Sequence, residues 1–232
     1  MGKGLFVTGT GTDVGKTFVA ALLVKKLHAS GRGAAYYKAA MSGNARDAAG
    51  RLVPGDAACV RAVSGIAQPL AEMCPYVYEA AVSPHLAARL EGGPVELGRV
   101  LDGYRALADR YDYITMEGSG GILCPLRCDG QLLLLEDVVG ALGLPCLVVA
   151  DAGLGTINGV VLTCEYLRRR GLRASGIIFN RFHPGDAMEE DNRAMCAHLT
   201  GTPVIAAVAE GATDIDLAPA ALAALYQEAR AR

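Results

Sequence analysis

Residues 9–17 read GTGTDVGKT, and the pair that closes the run, Lys16 and Thr17, can do phosphate chemistry. Glycines let successive backbone N–H groups wrap a phosphate. A lysine behind them reaches the terminal phosphates of a nucleotide, and the next hydroxyl ligates Mg²⁺. The usual spacing is G-x-x-x-x-G-K-[ST]. Five residues before Gly15 stands Thr10, with Gly9 and Gly11 on either side, so this loop is one residue longer. Its context favours a phosphate loop over a plain glycine-rich turn. The apolar run LFVT at 5–8 leads in, and KTFVAALLVKKLHAS leads out as a helix closed by Gly31. A helix N-terminus is itself an anion site.

Other residues could serve the same chemistry. Lys38, near the end of the β-like run AAYYKA at 34–39, is a cation that could stabilise charge in a transition state. Asp56 alone reads as a helix N-cap. Glu117 ends an apolar strand before GSGG, and a buried carboxylate needs a partner. Thr17, Asp56 and Glu117 together make three oxygen donors, which suits the hard ion Mg²⁺. GLGTIN at 153–158 has no basic side chain, but N–H groups at a helix start there can hold a carboxylate. His85, after Pro84, fits a helix cap and a substrate neighbour equally.

The elements that must carry these residues alternate. Strands are expected at 34–39, 112–118, 145–151 and 174–180, and again in TPVIAAVA. Helices are expected near 56–64, 84–91, 96–109, 136–142, from 156 onward, near 187–200 and, Ala-rich, near 218–231. CLVVA and GIIF are continuously apolar, as strands covered on both faces are. The pattern implies an α/β, doubly wound, mostly parallel sheet in a single domain over 1–232. Ligands bind beyond the carboxyl ends of such strands. The glycine loop, Lys38, Glu117, Asp151 and Asn180 all fall on that edge. Residues 43–56, with three glycines and Pro54, are expected to form a mobile loop.

Composition excludes several classes. The chain has 232 residues, 52% of them hydrophobic, and a formal net charge of −2. That is enough for a large core, and it gives no bulk charge that would favour nucleic acid or an anionic membrane. No apolar run approaches the roughly 18 residues of a membrane helix, and MGKGLF lacks the apolar core of a signal peptide. The expected location is cytoplasmic. Seven cysteines include no C-x-x-C, the closest pair being Cys124 and Cys128, and the four histidines are scattered. Neither a zinc site nor a disulfide framework is expected.

The longer loop resembles G-T-x-T-x-V-G-K-T, the phosphate loop of the dethiobiotin synthetases. Tyr37-Lys38 with Ser42-Gly43 resembles that family's Y-K-P-x-x-S-G, Asp56-Ala57 its S-D-A, and Ser83-Pro84-His85 its S-P-H. EGSGG at 117–121 resembles its E-G-A-G-G, and LGTIN at 154–158 its L-G-x-I-N. Asn180 matches its adenine-side Asn, and Asp191-Asn192 its [ED]-N. Order and spacing hold over residues 5 to about 205. Two departures stand out: Ala39 replaces the proline after the lysine, and Ala206-Ala207-Val208-Ala209 replaces the late G-x-I-P.

The resemblance implies a P-loop NTPase-like fold and a homodimer. It implies ATP-dependent carboxylation and ring closure of 7,8-diaminononanoate with CO₂ to dethiobiotin, ADP and phosphate, with Mg²⁺. Lys16, Lys38 and Thr12 would neutralise charge in catalysis. Thr12, Asp13, Val14, Gly15, Lys16, Thr17, Phe18, Asp56, Glu117, Gly118, Ser119, Gly120, Asn180, Arg181, Val208, Ala209 and Glu210 would bind nucleotide. Lys38, Ser42, Gly121, Leu154, Gly155 and Asn158 would bind substrate, and Thr17, Asp56 and Glu117 the metal. Two alternatives remain. A related cobalamin-pathway amide synthase would need a glutaminase domain, for which the chain has no room. A regulatory ATPase of the partition or septum-positioning kind would carry an early lysine where Gly11 stands.

Overall fold

β1 (Lys3–Gly9) is buried from its second residue onward, which is why it reads as an unbroken apolar run. The computed structural model of the chain describes residues 2–230. After β1 come α1 (Lys16–Ala29), β2 (Ala34–Lys38), α2 (Gly55–Ser64), α3 (Leu70–Met73), α4 (Pro84–Glu91), α5 (Leu97–Ala108) and β3 (Tyr113–Glu117). A hairpin of β4 (Pro125–Cys128) and β5 (Leu132–Leu134) precedes α6 (Leu135–Leu142). β6 (Cys146–Asp151), α7 (Thr156–Arg169), β7 (Ala174–Asn180), α8 (Ala187–Thr200), β8 (Val204–Val208), α9 (Pro219–Ala223) and β9 (Gln227–Glu228) follow.

The main sheet runs β2-β3-β1-β6-β7-β8, all parallel. This is the expected doubly wound arrangement. Strand residues alternate between two cores. Leu5 and Val7 pack with Val19, Leu22, Leu23 and Val60 on the face covered by α1, α2 and α9. Phe6 and Phe179 pack with Val100, Leu107, Val138 and Val160 on the face covered by α4 to α8. α1 is buried at every position from Val19 to Val24, so it needs no polar stripe.

Two expectations differ from the structure. The Ala-rich helix near 218–231 is only α9, and Ala231 lies outside the described residues. Beyond α9 the chain becomes β9, antiparallel to β1. The reason lies in the register. β6 begins to pair with β1 only at Phe6, while β9 pairs with Lys3 and Gly4. Extended backbone therefore covers an edge that a helix could not pair with. Tyr226, just before β9, is buried, and its hydroxyl lies 2.7 Å from that of Thr115.

Residues 43–56, expected to be a mobile loop, form a braced turn. Asn44 donates to the Met41 and Tyr78 carbonyls and accepts from the Gly55 amide. Asp47 caps the amides of Ala49 and Arg51. The hairpin β4–β5 and α3 are additions. Asp129-Gly130, with Gly130 at φ 93°, is the turn signal that marks the hairpin. No helix among the described residues is long and apolar enough to cross a membrane.

Candidate active site

The carboxyl edge of the sheet gathers the chemistry. β2 and β3 pair with Lys38 opposite Glu117. The Lys38 ammonium donates to Glu117 Oε1 at 2.7 Å and to Asp56 Oδ2, at the start of α2, at 2.6 Å. Thr17, in the first turn of α1, donates its hydroxyl to the same Glu117 Oε1 at 2.8 Å. Glu117 is wholly buried, and Tyr36 donates to its other oxygen at 2.8 Å. The expected trio of Thr17, Asp56 and Glu117 is therefore linked: both carboxylates hold the ammonium of Lys38, and Glu117 also accepts from Thr17.

Electrostatics follow from this packing. Burial opposes the charge on Lys38, but the Glu117 and Asp56 carboxylates outweigh it and hold the ammonium above its ordinary range. Lys16 sits nearby with fewer partners: its ammonium donates to the Gly11 carbonyl at 2.8 Å. Burial lowers its pKa against the pull of Glu117. Burial, reinforced by Glu117, pushes the Tyr36 hydroxyl well up, so it remains a donor. Tyr36 is the residue that the sequence reading missed. It lies two positions before Lys38 on the same strand, hence on the same face.

The phosphate loop joins β1 to α1. Asp13 and Gly15 take left-handed backbone, at φ 60° and 87°. Gly15 is obligatory on two counts, since a Cβ there would also stand 2.0 Å from the Asn180 amide nitrogen. Asn180 Nδ2 donates to the Val14 carbonyl at 3.1 Å, which orients its amide, and Asn180 Oδ1 is buried without a partner. The turn at 118–121 closes over the loop. A Cβ on Gly120 would lie 3.7 Å from Thr12 Oγ1, and one on Gly121 would lie 3.6 Å from the Gly9 carbonyl. Ser119 donates to the Ala40 carbonyl at 3.0 Å. Phe18 is half-buried and packs against the core on the α1 side.

Other expected residues stand further out. Ser42 is half-buried in the segment after β2, where Met41 exchanges backbone bonds with Tyr76 and Tyr78. Leu154, Gly155 and Asn158 are exposed at the start of α7. Gly155 is left-handed at φ 90°, and no side chain caps the first α7 amides. Val208 is buried, and Ala209 and Glu210 are exposed beyond β8. Arg181, expected at the nucleotide, donates to Asp151 and to the Asp13 carbonyl. His85 Nδ1 is buried without a partner, so nothing supports a capping role.

A glycine loop entering a buried helix, with a lysine and a hydroxyl behind it, on a parallel sheet of this order defines a P-loop NTPase-like protein. Solved structures agree on the fold. A ParA family ATPase from Chlorobium tepidum matches with a TM-score of 0.52 at 14% identity, over 89% of this chain and 83% of that one. The MinC:MinD cell division complex of Aquifex aeolicus matches with a TM-score of 0.56 at 14% identity, over 95% and 93%.

The chain belongs to the ATP-dependent dethiobiotin synthetases. It is 42% identical over 217 residues to the Brachyspira hyodysenteriae ATP-dependent dethiobiotin synthetase BioD, covering 93% of this chain and 96% of that protein. It is 44% identical to the Clostridium kluyveri enzyme of the same name, over 89% and 85%. The family model described as an AAA domain matches residues 3–213.

Proposed function

We propose that this chain makes dethiobiotin from 7,8-diaminononanoate, CO₂ and ATP, as a C–N bond-forming ligase of biotin biosynthesis. One observation carries the reading: Lys38 is held in register with Glu117, against Asp56, within reach of the Thr17 hydroxyl at the phosphate loop. A cation placed there meets the γ-phosphate and an incoming anionic substrate together.

One substrate amine adds to CO₂ and loses a proton, giving a carbamate. A carbamate oxygen attacks the γ-phosphorus and ADP leaves. The second amine attacks the resulting carbamic-phosphoric anhydride, closing the cyclic urea and expelling phosphate. The residues position reactants and neutralise charge, as in phosphoryl transfer generally. Lys16 leaves the Gly11 carbonyl for the β- and γ-phosphates. Thr12, exposed on the loop, donates to the phosphate from the opposite side. Lys38 bears on the carbamate and the transferring group, and Ser42 orients the amine. Arg181, Val208, Ala209 and Glu210 flank the base, and Asn180 reads it.

Thr17, Asp56 and Glu117 fit Mg²⁺. They are all oxygen donors, and both carboxylates already reach one cation. Among the described residues no three His, Cys, Asp or Glu side chains gather as a metal site; here one of the three donors is a hydroxyl. Bound there, Mg²⁺ would neutralise charge on the phosphates.

The working form in this reading is a cytoplasmic homodimer of 1–232 units. The substrate's far carboxylate lies on the α7 start of the neighbouring subunit, at Leu154, Gly155 and Asn158, beside Gly121. Leu154 is 92% exposed and Leu162, further along α7, 61%, which suits a covered face.

Incubation with the diamine, labelled bicarbonate and MgATP tests the reading. Label is expected in an acid-stable cyclic urea, in proportion to ADP formed. ATP turnover that ignores both co-substrates would overturn it in favour of a regulatory ATPase.

A further inference from the structure

Among the described residues, only two without a glycine's freedom take left-handed backbone: Asp13 at φ 60° and Arg181 at φ 55°. They are bonded to each other. Arg181 Nη2 donates to the Asp13 carbonyl at 3.1 Å. Arg181 Nε donates to Asp151 Oδ2 at 2.6 Å, and its Nη2 reaches the same oxygen. The other oxygen, Asp151 Oδ1, accepts the Gly153 amide at 3.0 Å. One unbroken chain thus runs from the phosphate loop to the turn that opens α7. Left-handed backbone persists in such residues only where surroundings hold it, and it gathers at functional sites. The same two segments also touch directly, since a Cβ on Gly159 of α7 would meet Thr10 Cβ at 3.2 Å. Asn192 of α8 braces the turn from behind, donating to the Ala152 and Gly153 carbonyls.

We infer that Arg181 is a positioning residue that couples nucleotide at the phosphate loop to substrate carboxylate at the α7 turn. The inference rests on the function proposed above. A nucleotide that settles the loop fixes the Asp13 carbonyl. Arg181 and Asp151 then hold the Gly153 turn in the form whose amides receive the anion. In a dimer with shared sites, this chain joins one subunit's nucleotide to its partner's substrate. Coupling of this kind is reciprocal: each ligand tightens the other by the same factor.

Calorimetric titration of full-length protein with 7,8-diaminononanoate, with and without Mg²⁺ and the β,γ-imido analogue of ATP, reads the coupling. In the wild type the analogue is expected to tighten the diamine by about fivefold or more, at the low end of typical coupling. In Arg181→Ala and in Asp151→Asn that ratio is expected to fall to within about twofold of one. Asp151→Asn keeps the side chain's shape and decides the question if Arg181→Ala does not fold. A wild-type ratio retained in the folded variants, or no coupling in the wild type, overturns the inference while leaving the function standing. Failure of the wild type to bind the diamine at all overturns both.

Discussion

At the scale of single residues, the site divides labour by burial and partners. Lys38 has two carboxylates, and Lys16 has one backbone carbonyl. Replacing Lys38 by Gln removes the cation that, in the proposed function, faces the transferring group and interacts more strongly in the transition state. Steady-state kinetics of Lys38→Gln should show kcat down by at least about a hundredfold with KM for ATP within a few fold. A normal kcat with only a raised KM would remove Lys38 from the chemistry. In the proposed function the base is read through Asn180, whose Nδ2 donates to the Val14 carbonyl while Oδ1 is left to accept. An exocyclic amino group satisfies that acceptor, whereas a carbonyl oxygen does not. Adenine at C6 and cytosine at C4 carry such a group, where guanine presents the oxygen O6, its own amino group lying at C2. The Ala206–Ala209 stretch also lacks the proline that would stiffen the facing segment. Turnover with CTP is therefore expected to exceed turnover with GTP, checked by product formation at equal nucleotide concentrations. The reverse order would assign Asn180 another partner.

At the scale of elements, the site's precision comes from α1 and the register of β2 on β3. Leu22 of α1 is wholly buried in the core that also holds Leu5, Val7 and Val60. Leu22→Ala should cost about 2–5 kcal/mol in urea unfolding, since the truncated side chain leaves a cavity. A loss under about 1 kcal/mol would mean that the face repacks freely. The strands and helices that carry the site were legible in the sequence because buried parallel strands are apolar runs and glycine turns punctuate them. The phosphate loop, Lys38, Asp56, Glu117 and Asn180 were legible as motifs. What was not legible depends on long-range pairing. ALAALYQEARAR has a helical pattern, yet Gln227 and Glu228 become strand because β1 pairs with them at Lys3 and Gly4. Tyr36 looks like any core tyrosine until Glu117 is placed beside it, 81 residues away. The 43–56 segment reads as loose because its braces, Tyr78 among them, come from elsewhere in the chain.

At the scale of the whole molecule, the account requires two copies. A subunit carries Lys38 at one part of the carboxyl edge and, at the start of α7, a row of amides that no side chain caps, with no basic side chain from Gly153 to Asn158. Gly155→Glu would set a carboxylate against that row, in a left-handed position that an L side chain rarely adopts. It should raise KM for the diamine at least tenfold while leaving nucleotide affinity nearly intact. At a diamine concentration well below the raised KM, mixing the Gly155→Glu and Lys38→Gln proteins should give more activity than the two measured apart, because a mixed dimer holds one intact composite site. Absence of rescue, with subunit exchange demonstrated by native mass spectrometry, would contradict a shared site.

The central claim is that an oxygen from CO₂ attacks the γ-phosphate while Lys38, Lys16 and Thr12 hold the charge. Bicarbonate labelled with oxygen-18, pre-equilibrated with dissolved CO₂, tests it most directly when the released phosphate and the urea are both read by mass spectrometry. The account predicts one labelled oxygen in the phosphate for each labelled carbonyl in dethiobiotin. Phosphate whose new oxygen comes only from water would contradict it.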